Sequence, residues 1–164
     1  MSRGAVGGAR GASEQEVRDV AAMQSHFARF AEDHPGLRLY RAICLGAAAD
    51  PRAAALLLEA RPGQARPVLW LAALHDLVLR RPGLPAARWY PSVVGHEEVP
   101  EGDPWPDVLR TVLAHADELR ETIATRSTQT NEVNRAVCLA AGLALVAADV
   151  PDAPVDLVEL GASA

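Results

Sequence analysis

The sequence predicts a mainly α-helical domain that runs into the first strand of a Rossmann-like α/β domain, truncated at Ala164. Three observations carry this expectation. Apolar residues recur at helical spacing through most of residues 13–150. Asp50-Pro51 and Asp103-Pro104 pair a capping side chain with a proline suited to a first helical position. A single β-rich run, VDLVEL at 155–160, follows the helices and enters a glycine turn.

Residues 1–12, MSRGAVGGARGA, are rich in Gly and Ala and are expected to fray. Ser13 and Glu16 then stand at capping-box spacing. Val17, Val20, Phe27, Phe30 and Ala31 continue at helical spacing, which predicts a helix over 14–32 ending at His34-Pro35-Gly36. Leu37, Tyr40, Ile43 and Cys44 share a face of a second helix over 37–48, and Pro51 opens a third over 51–60. RPGQARP is a turn. PVLWLAALHDLVLRR, from Pro67, is apolar almost all round, as a central helix covered on several sides is.

Residues 81–103 carry Pro82, Gly83, Pro85, Pro91, Gly95, Pro100 and Gly102 and read as a long irregular connection, with Trp89 and Tyr90 capping the edge of the core. PWPDVLRTVLAHADELRETIA reads as one amphipathic helix, its start anchored by Trp105. The polar run TRSTQTNEVNR separates it from a last apolar helix, AVCLAAGLALVAA, over 136–148. The domains expected are therefore a frayed 1–12, a helical 13–150, and a strand with its glycine turn at 151–164. A lone strand leaves its backbone groups unpaired, so it implies a sheet encoded elsewhere.

Composition narrows the function classes. Apolar residues are 49% and charged residues 23%, as in ordinary globular domains. The net charge is -5, which argues against a general affinity for nucleic acid. All sixteen basic residues are Arg, a signature of GC-rich coding and not of phosphate recognition. Cys44 and Cys138 sit in apolar helical stretches and read as buried free thiols in a reducing, cytoplasmic setting. No apolar run is long enough for a signal peptide or a membrane span.

Several motifs bear on chemistry. In ELGASA, an acidic residue precedes a glycine turn, as where S-adenosylmethionine-dependent methyltransferases open their sheet. Glu159, Gly161 and Ser163 are the cofactor-binding candidates there; Ser163 stands where many such enzymes have a second glycine. GASA is also one Gly short of the nucleophile elbow of α/β-hydrolases, with Ser163 as nucleophile. That elbow follows several strands, and none precedes it here. His75-Asp76 has the form of the pair in metal phosphohydrolases, but His75 lines up with Leu71 and Leu79 as a hydrogen-bonded core histidine would, and Asp76 can pair with Arg80. No metal site is expected. In the polar run, helix capping by Thr128 or Thr130, with Glu132 near the helix start, uses only part of the residues. Arg126, Gln129, Thr130, Asn131 and Glu132 are candidates to recognise a substrate or another segment.

Four segments in this order, PGQARPVLWLAALHDLVL, YPS, ATRSTQTNEVNRA and VDLVELGASA, resemble a bacterial family known as domain of unknown function 2332. The resemblance implies a protein about twice this long whose later part is methyltransferase-like, and makes Gln129, Thr130, Asn131 and Glu132 part of a family motif. It implies S-adenosylmethionine as a cofactor of the full-length protein and none for these 164 residues, which lack the glycine helix and a ribose-binding carboxylate. The catalytic residues are left open. A non-enzymatic helical interaction module is the alternative, its partner a homodimer face on 136–148 or the missing C-terminal domain.

Overall fold

The structure is a computed structural model that describes residues 13–128 and 135–149. The chain divides into two units, Met1–Thr128 and Gln129–Ala164. The described residues are mainly helical, and no strand occurs among them. The strand expected at 155–160 lies outside the described residues, as do residues 1–12.

Helix α1, Glu14–Asp33, starts as its sequence dictates. Ser13 Oγ accepts from the Glu16 N–H at 3.2 Å, and Glu16 Oε2 accepts from the Ser13 N–H at 3.0 Å. Two N–H groups that a helix start leaves orphaned are thereby satisfied. The His-Pro-Gly turn reverses the chain into α2, Arg38–Ala49. The two helices pack as a hairpin, with Phe27 and Ala31 against Ile43, Cys44 and Ala47, all buried. Gln24 Nε2 donates across the pair to the Ala48 carbonyl at 2.8 Å.

Asp50 caps α3, Pro51–Ala55, by accepting from the Arg52 N–H at 2.9 Å, and the chain tightens into a 3₁₀ turn over Leu56–Glu59. The adjacent Arg52 guanidinium holds the Asp50 carboxyl below the usual carboxylate range.

Helix α4, Pro67–Arg80, is central, as its apolar circumference predicts; eight of its fourteen residues are buried. Trp70 ties it to its neighbours twice. Its indole meets Phe27 edge to face at 5.6 Å, and its Nε1–H donates to the Ala53 carbonyl at 3.1 Å. An aromatic pair of this kind contributes about 1 kcal/mol beyond the area it buries.

Residues 81–103 are more ordered than their Pro and Gly content suggests. A 3₁₀ turn over Pro85–Trp89, the short helix α5 at Pro91–Val94 and a 3₁₀ turn over His96–Glu98 follow one another. Pro85 and Pro91 start turns, which their fixed φ favours. Trp89 and Tyr90 are buried, so they belong to the core and not to its edge. The segment is pinned by helix α6, Trp105–Ala114. Thr111 Oγ1 accepts from the Ala86 N–H at 3.1 Å, and Asp107 Oδ2 accepts from the Trp89 indole at 3.0 Å.

The single helix expected over 104–124 is two. α6 closes at His115, whose backbone is non-helical (φ -121°, ψ 27°), and α7 runs Ala116–Thr125. No Pro or Gly marks this break. Arg81 Nη1 donates to His115 Nδ1 at 3.0 Å, and Arg80 and Arg81 both reach Glu118 in the first turn of α7. The Arg80 hydrogen bond, with Arg81 nearby, lowers the pKa of Glu118. The break thus sits where α4 delivers two cations, a feature of tertiary packing. Arg80 also pairs with Asp76 at 3.0 Å, as their spacing predicts. In the second unit, helix α8 covers Arg135–Asp149, within a residue or so of its expected bounds.

Candidate functional site

The RPGQARP turn sets the first part of the site. Gly63 adopts φ 79°, a conformation open to glycine, and the Gln64 N–H closes the turn on the Arg61 carbonyl at 2.9 Å. The turn throws Arg61 onto the end of α7. Its Nε donates to the Ala124 carbonyl at 3.1 Å and its Nη2 to the Thr125 carbonyl at 2.5 Å. These are carbonyls that a helix end leaves without partners, and a cation there also meets the negative pole of the helix. Gln64 Oε1 accepts from the Thr128 N–H at 3.3 Å. The turn therefore fixes the point at which the first unit hands over to the polar run.

Arg61→Ala is expected to lower stability by about 1–2 kcal/mol, since it strips two charge-assisted hydrogen bonds from a helix terminus. Urea denaturation checks this. Hydrogen exchange should quicken around 124–128 more than in α4.

A second cluster lies at the other end of α4. His75 Nε2 is 2.7 Å from Ser92 Oγ, and its ring stacks on Tyr90 at 4.9 Å with planes 17° apart. Burial lowers the pKa of His75 against the opposing pull of Asp76, so the imidazole favours its neutral form. A neutral imidazole can accept the proton of an adjacent serine hydroxyl. The Tyr90 hydroxyl is buried without a hydrogen-bond partner among the described residues, and burial, reinforced by Tyr40 and Cys44, raises its pKa. The buried Cys44 thiol is pushed up to about 12 and is inert as a nucleophile.

Between the two clusters runs a groove bounded by α4 and by the turn of the α1–α2 hairpin. Its wider part, about 630 Å³, meets Arg29, Asp33 and Arg66. Its narrower part, about 370 Å³, passes Leu37, Tyr40 and Leu71 to His75. Phe30, His34 and Val68 line both parts and join them. His34 stacks on Phe30 at 4.3 Å, and its Nδ1–H donates to the Phe30 carbonyl at 3.0 Å.

Of the residues nominated from sequence, Arg126 is described. It is the C-cap of α7, exposed, with its N–H on the Thr122 carbonyl at 2.9 Å. Gln129, Thr130, Asn131 and Glu132, and Glu159, Gly161 and Ser163, lie outside the described residues. His75 is the hydrogen-bonded histidine its alignment predicts, half-buried, with Ser92 as partner. Among the described residues no three His, Cys, Asp or Glu side chains gather to hold a metal, and no helix is long and apolar enough to cross a membrane. Sequence reasoning missed the Arg61 and Gln64 contacts, the His75–Ser92 pair and the groove. Each joins residues far apart in the chain. The Pro-Gly turn and YPS were the visible signals, without their partners.

Fold and site together define a helical protein in which the segments quoted from sequence meet pairwise. PGQ touches ATRST through Gln64 and Thr128, and the His75 of the central helix touches YPS through Tyr90 and Ser92. A family model described as "Uncharacterized protein conserved in bacteria (DUF2332)" matches residues 24–164, and the chain belongs to that family. No curated protein and no solved structure matches the chain.

Proposed function

We propose that this chain is the helical part of an S-adenosylmethionine-dependent methyltransferase-like protein. The observation that carries the reading is the order of the chain. A helical unit ends in a polar run, an apolar helix follows, and VDLVELGASA then presents an acidic residue before a glycine turn. In this reading Glu159, Gly161 and Ser163 open the cofactor site, Glu159 as the acidic residue that leads into the glycine loop and Gly161 as the point of close backbone approach. Arg126, Gln129, Thr130, Asn131 and Glu132 recognise the methyl acceptor. The Arg61 and Gln64 contacts at 124–128 support this role, because a recognition segment gains from a fixed start.

A nucleotide-type site also needs the helix after the glycine turn and a carboxylate for the ribose hydroxyls. The 164 residues by themselves are therefore expected to show no binding of S-adenosylmethionine by calorimetry, whereas a longer family member that carries those elements binds it. In that longer protein, alanine at the positions of Asn131 and Glu132 weakens substrate binding about tenfold or more and leaves the melting temperature nearly unchanged. No cofactor binding by the longer protein refutes the reading. Collapse of stability in the two variants makes the motif structural. The alternative, a non-enzymatic interaction module, rests on α8, where Leu139, Leu143 and Val146 recur at helical spacing. It calls for a discrete, saturable dimer of this chain in sedimentation, with no cofactor bound by either protein.

A further inference from the structure

The groove beside α4 is amphipathic along its length. Val68, Leu71, Ala72 and His75 follow one another at i, i+3, i+4 and i+7, so a single stripe of α4 forms its floor. At a rise of 1.5 Å per residue, that stripe spans roughly 10 Å. Aliphatic carbon is left uncovered there: Val68 is 46% and Leu37 45% exposed. Phe30 forms part of the facing wall.

The two ends differ in charge. At the wide end stand Arg29 and Arg66, and neither makes an ion pair or side-chain hydrogen bond among the described residues, whereas most other arginines of α3–α7 and their connections do. Among the described residues Asp33 is the single acidic group lining that end, so positive charge prevails there in a chain of net charge -5. Arg66 is also the N-cap of the fourteen-residue α4, whose start has no side-chain cap. At the narrow end stand Tyr40 and His75. Both parts have volumes usual for small-molecule sites.

We propose that this groove binds an elongated amphiphilic carboxylate of the medium-chain acyl class. Its head meets Arg29 and Arg66, and its chain lies on the stripe from Val68 to His75. The guanidinium groups suit a carboxylate by charge and by paired N–H geometry. The chain covers the aliphatic surface that α4 and the hairpin leave open. The inference concerns the first unit alone and is independent of the methyltransferase reading.

Calorimetric titration of the purified chain with decanoate, decanol and decyltrimethylammonium, each below its micelle concentration, tests it. Decanoate is expected to bind about tenfold or more tightly than decanol, and the cation weakest. The Arg29→Ala/Arg66→Ala double variant should bring decanoate down to the level of decanol. Val68→Asp, at an exposed position near a helix start, should weaken both. Asp33→Asn should tighten decanoate. Circular dichroism confirms that each variant keeps its helix content, and amide shifts on titration should map to 66–75. Equal binding of decanoate and decanol, no decanoate binding, or full retention by the double variant overturns the proposal. None of these outcomes bears on S-adenosylmethionine binding by a longer family member.

Discussion

Asp107→Ala is expected to destabilise the first unit by about 2–4 kcal/mol. The Asp107 side chain is only 13% exposed, and its carboxylate serves two partners through Oδ2, the Trp89 indole N–H at 3.0 Å and the Arg88 guanidinium at 2.7 Å. Their weights differ. The Arg88 side chain is 60% exposed, and a pair with one end in water contributes little. Trp89 is buried, and loss of its acceptor strands a donor where water does not reach it. The indole bond therefore carries most of the effect. Asp107→Asn keeps an acceptor oxygen and should lose about half as much. In the Asp107→Ala background Trp89→Phe should cost much less than it does alone, since the donor is then already unpaired. Urea midpoints followed by tryptophan fluorescence and circular dichroism read the unsubstituted chain and the four variants. A loss under about 0.5 kcal/mol for Asp107→Ala would mean that α6 does not hold the 85–90 turn through this carboxylate.

Gly46→Ala should cost about 1–3 kcal/mol, although alanine is the better helix former by about 1 kcal/mol. The reason is steric. A Cβ on Gly46 would overlap the inner atoms of the Trp105 indole, Cγ, Cδ2 and Cε3, and these move only with the whole side chain. Trp105 begins α6, with its N–H on Asp103 Oδ1 at 2.9 Å, so displacing the ring disturbs that start and the contact of α6 with α2. Gly36→Ala is the control. A Cβ there meets none of the described residues within 4 Å, and the change should be near neutral. Trp105→Leu should relieve much of the penalty in the Gly46→Ala background, giving a coupling of about 1 kcal/mol or more. Thermal melts of the four variants decide it.

These two sites show why local and long-range features differed in legibility. The capping box of Ser13 and Glu16, the Asp50 cap and the apolar circumference of α4 all lie within a few residues or one helical repeat, and the structure has them where the spacing puts them. The break at His115 and the order in 81–103 did not show. Their determinants are Arg81 just past the end of α4, and Asp107 and Thr111 on a helix later in the chain. Pro and Gly mark a departure from regular helix equally well in an irregular loop and in a series of short turns. Burial of Trp89 and Tyr90 distinguishes the two.

For the candidate site the same division holds. RPGQARP was readable as a turn and TRSTQTNE as a polar run, each from its own residues. That Arg61 caps α7 and that Gln64 receives the Thr128 N–H required the two to be brought together across more than sixty positions. By itself the sequence determined helix content, most helix starts and the family, because propensity, capping and apolar periodicity act within a turn or two of the chain. Only the tertiary structure decided where helices break, which tryptophans form the core and that a groove with two arginines runs beside α4. Each of these depends on a partner that the chain reaches only by folding.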